Sequence, residues 1–206
     1  MPLINQYQNI FDRVVEETNR PDLQAEINLA ISNAAIHFHN IDDWPYDVVS
    51  VTPTYTLNQD TQTVSIDKCD QLPRYKKLAL TRSHCAGSVT GVYINGRSCP
   101  ATDNTTNFAN RRCSIGFYED ALFLSIKTGF VTSSDVIEID YYQHPLLSPI
   151  TSLDSWIASM YPQYLWTYAA RQVLRAIGNN QQAVTLGEEL AAFENNLLSM
   201  HLPDQS

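Results

Sequence analysis

Histidines, cysteines and a run of cations are the residues of this chain with the most chemistry to offer. His37 and His39 stand two apart, and Asp42 and Asp43 follow. Imidazole and carboxylate bind metals, but helical residues two apart do not face each other, so a metal there needs a local break in the helix. A hydrogen-bonded or solvent-facing histidine pair is the plainer expectation. His84 precedes Cys85, which suggests a thiol beside its base. Adjacent residues of a strand point to opposite faces, so the imidazole partner would have to come from elsewhere, His144 for instance. The four cysteines, Cys69, Cys85, Cys99 and Cys113, are widely and almost evenly spaced. Structural zinc sites usually carry close pairs, which are missing here, and free buried thiols are expected in a reducing compartment. The 206 residues contain no Gly-rich phosphate loop, no GxSxG elbow and no HExxH. The expectation is therefore a non-enzyme with no catalytic residue, no cofactor and no metal.

The cations and aromatics suggest contacts instead. Arg74, Lys76, Lys77 and Arg82 form a local concentration of positive charge. The whole chain carries 13 Lys and Arg against 22 Asp and Glu, a net charge of −9, and phosphate neutralisation needs cations. A solvated face, or a patch meeting an acidic partner, is expected there before nucleic acid. Trp156, Met160, Tyr161, Tyr164, Trp166 and Tyr168 make a dense aromatic stripe. Core and interface readings both stay open for it, because aromatics and Met are enriched at interface cores. Charged residues are 17% of the chain, below the usual ~25%. A surface of uncharged polar groups is covered by partners at lower desolvation cost.

The elements that must position these residues fall into three zones. Ile4, Tyr7, Phe11, Val14 and Val15, then Leu23, Ile27, Ala30, Ile31, Ala34 and Phe38, recur at helical spacing, with Pro21 suited to a second helix's first turn. From Tyr46 to Tyr142 the pattern is of strands. Val64 with Ile66, Leu122 with Leu124 and Ile126, and Ile137 with Ile139 and Tyr141 alternate with their neighbours, and Asn95-Gly96 signals a hairpin. A polar loop is expected at 100–112, including the sequon Asn104-Thr105-Thr106 and the cations Arg111 and Arg112. Helices return near Thr151, which with Asp154 resembles a capping box. Pro162 predicts a kink or a restart, Gly178-Asn179-Asn180 a stop and a new start, and Ala183, Leu186, Leu190, Phe193, Leu197 and Met200 a heptad seam. The expected fold is α+β, a helical bundle built from both chain ends (1–45 and 146–206) with a central antiparallel β insertion (46–145). No apolar run is long enough to span a membrane, and the first residues lack the marks of a signal peptide.

The layout resembles a known family. The helix with Ile27-Asn28-Leu29-Ala30-Ile31, then Leu72-Pro73-Arg74-Tyr75-Lys76-Lys77-Leu78, then Ile137-Glu138-Ile139-Asp140-Tyr141-Tyr142-Gln143-His144-Pro145, then helices from Trp156 with Tyr161-Pro162 and Ala169-Ala170-Arg171, follow one another as in the head-to-tail adaptor (connector) proteins of tailed bacteriophages. The resemblance covers residues 20–185 and rests on order and spacing. It implies a structural virion protein that is made in the host cytoplasm and sits at the head–tail junction. It would be a homo-oligomeric, dodecameric ring, bound to the portal protein above and to a tail or nozzle protein below. DNA would pass through without specific binding, and no membrane is involved. Trp156, Tyr161, Tyr164, Trp166, Tyr168, Arg74, Lys76 and Lys77 would then serve at interfaces. Glu188, Glu189 and Glu194 would face the lumen, where negative walls repel phosphates. The alternatives are another tail-completion, stopper or fibre-attachment protein, a small hydrolase using the 100–112 loop, or a carbohydrate-binding module displaying Tyr93, Phe108, Phe117 and Tyr118.

Overall fold

The computed structural model describes residues 6–83, 87–100, 116–127 and 131–201, of which 80–83, 87–90, 100 and 200–201 by backbone alone. His84, Cys85, Cys113, Phe108 and the expected loop from residue 101 onward lie outside the described residues. The chain divides into two compact units, residues 1–46 with 145–206, and residues 47–144.

The first unit is helical. Helix α1 (Gln6–Thr18) buries Tyr7, Ile10, Val14 and Thr18, one stripe at helical spacing. Asn19, in the left-handed region at φ 51°, ends it. Helix α2 (Gln24–Ile41) follows, starting three residues beyond Pro21. Its small residues Ala30, Ala34 and Ala35 are buried together with Ile27, Ile31 and Phe38. Trp44 then folds back, fully buried, and its indole N–H donates to the Phe38 carbonyl at 2.7 Å, an acceptor near the end of α2. The short α3 (Lys68–Gln71) belongs to the second unit. Helix α4 (Trp156–Met160) is capped by Ser155, not by the expected Thr151: the Ser155 hydroxyl accepts from the Ala158 N–H at 3.4 Å. Pro162 opens α5 (Pro162–Ala176) in its first turn, where the missing N–H costs nothing. Gly178, at φ 82°, closes the helix, and α6 (Asn180–His201) returns with Ala183, Leu186, Leu190 and Leu197 buried. Helix α5 packs against α1, α2 and α6, and is the centre of the unit.

The second unit holds strands β1 (Val48–Val51), β2 (Thr56–Asn58), β3 (Thr63–Asp67), β4 (Tyr75–Leu78), β5 (Leu80–Ser83), β6 (Gly87–Ile94), β7 (Arg97–Pro100), β8 (Gly116–Glu119), β9 (Phe123–Lys127) and β10 (Ile137–Gln143). Two antiparallel sheets result. One runs β1-β10-β6-β5, with β4 also on β10 and β7 on β6; the other runs β2-β3-β9-β8. Asn95 and Gly96, both at positive φ, make the β6–β7 turn. Val64, Ile66, Leu124 and Ile126 from one sheet, and Leu78, Val92, Ile94, Ile137, Ile139 and Tyr141 from the other, share one core.

These sheets correct the expected fold class. Among the described residues ten strands in two antiparallel sheets stand beside the helices, so a helical bundle is not the overall class. Each alternating segment buries its own face, and ten strands supply enough apolar side chains for a second complete core. The chain is α+β with the two kinds of element segregated into units, each closed around its own interior.

Gly91 lies where three backbones meet. Strands β4 and β5 form one path interrupted at Ala79, passing from β10 to β6. The Ala79 N–H donates to the Asp140 carbonyl at 2.9 Å, and the Gly91 N–H donates to the Ala79 carbonyl at 2.6 Å. A Cβ on Gly91 would stand 2.5 Å from the Asp140 carbonyl oxygen and 2.9 Å from that of Ala79. Both obstacles are backbone, which cannot swing aside. Gly91→Ala is expected to destabilise the protein by about 2 kcal/mol or more, read from the urea midpoint. Unchanged stability would mean that the junction is looser than these distances.

Candidate functional site

In the helical unit the aromatic stripe separates into three environments. Tyr164 is core, 4% exposed, stacked on Phe193 with centroids 4.5 Å apart. Trp166 is half-buried under the Arg13 guanidinium of α1, 5.9 Å from its ring centre. Tyr168 stacks on His37 of α2 at 4.6 Å. Trp156 and Tyr161 are different. They are half-buried, and Trp156 is surrounded by Trp44, Tyr46 and Tyr161 with centroids 5.4, 4.9 and 6.3 Å away. Tyr46 is 53% exposed and Met160, at the end of α4, is 49% exposed. Tyr46, Trp156, Met160 and Tyr161 thus give the unit an aromatic edge anchored on buried Trp44. Tyr46 was not among the sequence candidates. It lies over a hundred residues from Trp156 in the chain, and only the folding of α2 and Trp44 onto α4 brings them together.

Both histidines are hydrogen-bonded, as the plainer reading expected, and they do not converge. His37 Nε2 meets Glu194 Oε1 of α6 at 2.7 Å, and buried His39 Nε2 meets the Ser155 hydroxyl at 2.8 Å. The two imidazoles brace α2 against different helices. Among the described residues no three of His, Cys, Asp and Glu are grouped to hold a metal. His144 is exposed and its backbone N–H donates to the Arg74 carbonyl at 2.8 Å. Cys99 is buried and Cys69 exposed, and neither is in a disulfide.

The three glutamates are unlike one another. Glu188 and Glu189 are exposed on α6, whereas Glu194 is half-buried in its pair with His37. Just before them Gly187 lets α5 approach. The Arg171 guanidinium lies over it, with Nε 3.1 Å from where a Cβ would stand, and that Nε is buried without an acceptor.

In the β unit, Arg74 and Lys76 line a hollow of about 350 Å³ together with Lys68, Cys69, Leu72, Tyr75, Glu119 and Ala121. Lys77 is not among these residues; its ammonium lies over the Tyr142 ring at 5.6 Å. The Tyr75 hydroxyl donates to Glu119 Oε1 at 2.6 Å. Burial first, and the Glu119 hydrogen bond second, push that hydroxyl far above its ordinary value, so it remains a donor. Lys68 donates to the Asp120 carbonyl and lies over the Tyr75 ring at 5.1 Å. Lys68 and Glu119 carried no signal in the sequence, because only the packing of one sheet on the other brings them to Arg74. Of the aromatics considered for a carbohydrate face, Tyr93 is half-buried, and Phe117 and Tyr118 are exposed on β8.

No protein-family model matches the chain, and no curated protein matches it.

The contrast among the glutamates is measurable. Glu194→Ala, which removes the oxygen that His37 Nε2 meets at 2.7 Å, is expected to lower stability by about 1 kcal/mol, the scale of one hydrogen bond, read from the urea midpoint. Glu188→Gln should leave the urea midpoint where it is.

Proposed function

We propose that this chain is a structural subunit of a head-to-tail adaptor. It assembles as a homo-oligomeric ring under a portal protein, joins capsid to tail, and leaves a passage for DNA. The observation that carries this reading is the aromatic edge of Tyr46, Trp156, Met160 and Tyr161 on the helical unit, half-exposed and seated on a buried tryptophan. Rigid aromatics and methionine at a surface are the composition of an interface core. Two further features support it. The helical unit is closed from both chain ends, as in the adaptor layout that the sequence resembles. The net charge of −9, with Glu188 and Glu189 exposed on α6, suits a passage that must not hold phosphates.

The first test is mass, of the protein alone and then mixed with portal rings. The expected result is a fixed, symmetric stoichiometry on the portal. The double variant Tyr46→Ala with Met160→Ala should lose that binding while its urea midpoint moves little, because both side chains are about half exposed. A monomer or dimer that ignores every portal ring would remove the adaptor reading.

The passage is tested separately. Glu188→Lys with Glu189→Lys is expected to slow DNA ejection from assembled particles, since lysines in the wall would pair with phosphates. Ejection at the original rate would put both glutamates elsewhere than the lumen.

A further inference from the structure

Two neighbouring irregularities in the β unit aim cations into one hollow. Arg74 has φ 57°, the left-handed region that a side chain disfavours and glycine or asparagine usually fills. The turn is held there by several bonds. The Tyr141 hydroxyl and Gln143 Nε2 both donate to the Pro73 carbonyl, at 3.0 and 2.9 Å. The His144 N–H donates to the Arg74 carbonyl, and Arg74 Nη2 donates to Gln143 Oε1 at 2.9 Å. Two residues on, the pairing of β4 with β10 slips. Tyr142 faces Lys77 and Gln143 faces Tyr75, which leaves Lys76 as the extra residue of a bulge. Bulges re-aim side chains, and strained residues kept in place by surrounding bonds gather at functional sites. Arg74 and Lys76 both line the hollow, and Lys68 reaches it from the other sheet's side, at the end of β3.

We propose that this hollow is a receptor for a glutamate-bearing segment of a protein partner. Its walls match that side chain. Leu72 and the Tyr75 ring offer apolar surface for the stem, and Arg74, Lys76 and Lys68 surround the place of the carboxylate. Among the described residues the Arg74 guanidinium commits one of its five donors, to Gln143. Glu119 also stands in the wall, with one oxygen held by Tyr75. It opposes a dianionic phosphate more than a single carboxylate. A volume of about 350 Å³ is near the lower end for ligand pockets and suits one or two side chains. Duplex DNA would have to bring many phosphates against a chain of net charge −9. The proposal stands apart from the adaptor reading, since a carboxylate receptor on the β unit needs neither a ring nor a portal.

Cys69, exposed at the hollow, is a built-in reporter. Its alkylation by iodoacetamide can be followed by peptide mass mapping on the full chain. A capped peptide with two adjacent glutamates is expected to slow that alkylation saturably, by at least about threefold, because a bound peptide blocks access to the thiol. The Gln-Gln counterpart should have no effect, and added salt should weaken the protection. Arg74→Gly is the sharpest variant. It removes the cation and relieves the positive φ, so protection should vanish while Tm holds or rises. Protection that survives in Arg74→Gly overturns the proposal, as does protection by inorganic phosphate or duplex DNA that equals or exceeds that by the diglutamate peptide. If the glycine variant lowers Tm, Lys76→Gln carries the test, and full protection in it counts against the receptor.

Discussion

Helix α5 has apolar residues on more sides than its chain neighbours can cover. Tyr164, Leu165, Ala169, Ala170, Val173 and Leu174 are all buried, and α6 shields only part of them. The remainder is closed by α1 and α2, from the opposite end of the chain. Ala30 and Ala34 on α2, and Ala169 and Ala170 on α5, are buried with almost no exposure, so the backbones of these helices come close. This mutual need fixes the architecture. Once α2 and α5 are joined, residues 47–144 must leave and return, and the segment must then satisfy its own backbone and its own apolar faces. Paired strands around a separate core meet that demand.

The β unit meets it through one crowded crossing. The path of β4 and β5 changes partner from β10 to β6 at Ala79, which is possible because Gly91 has no side chain. Viewed this way the first sheet has six strand segments, or five strands with one interrupted. The crossing also bears on the hollow. To stay on β10 before crossing, β4 absorbs the bulge at Lys76 and begins from the Pro73-Arg74 turn, and β10 supplies the groups that hold that turn. The cation cluster is therefore tied to the same strand geometry as the core behind it.

Much of the fold was legible in the sequence wherever a period or a turn residue spoke for itself. Alternation marked Val64 with Ile66, Leu124 with Ile126, and Ile137 with Ile139 and Tyr141, all buried strand positions, whereas Leu122, expected on the face of Leu124 and Ile126, precedes β9 and is exposed. Asn95-Gly96 marked its hairpin, and the three–four spacing of Ala183 to Leu197 marked the inner face of α6. What stayed hidden depended on long-range company. The aromatic stripe looked like one surface, but α5 turns Tyr164, Trp166 and Tyr168 toward three different neighbours, while Trp156 sits on α4 beyond the Pro162 break. Glu194 resembled its two neighbours until His37, 157 residues away, took it as a partner. The weight given to the bundle over the strands had a related cause. Helical stripes are long and conspicuous, whereas ten short strands each carry a weak signal that adds up only after pairing.

Charge is distributed with the same economy. The chain is acidic overall, so a cation is useful wherever it is held among other cations and faces outward into a hollow. Arg74, Tyr75 and Lys76 all line the hollow, whereas an ordinary strand would turn Tyr75 to the face opposite the two cations and could not bring all three there. The strained turn and the bulge do so, at a cost in backbone energy that the hydrogen bonds of Tyr141, Gln143 and His144 offset. Glycine at residue 74 would have met the positive φ without steric strain. Arginine there sets a guanidinium in the wall of the hollow, with one donor on Gln143 of β10, which glycine could not do.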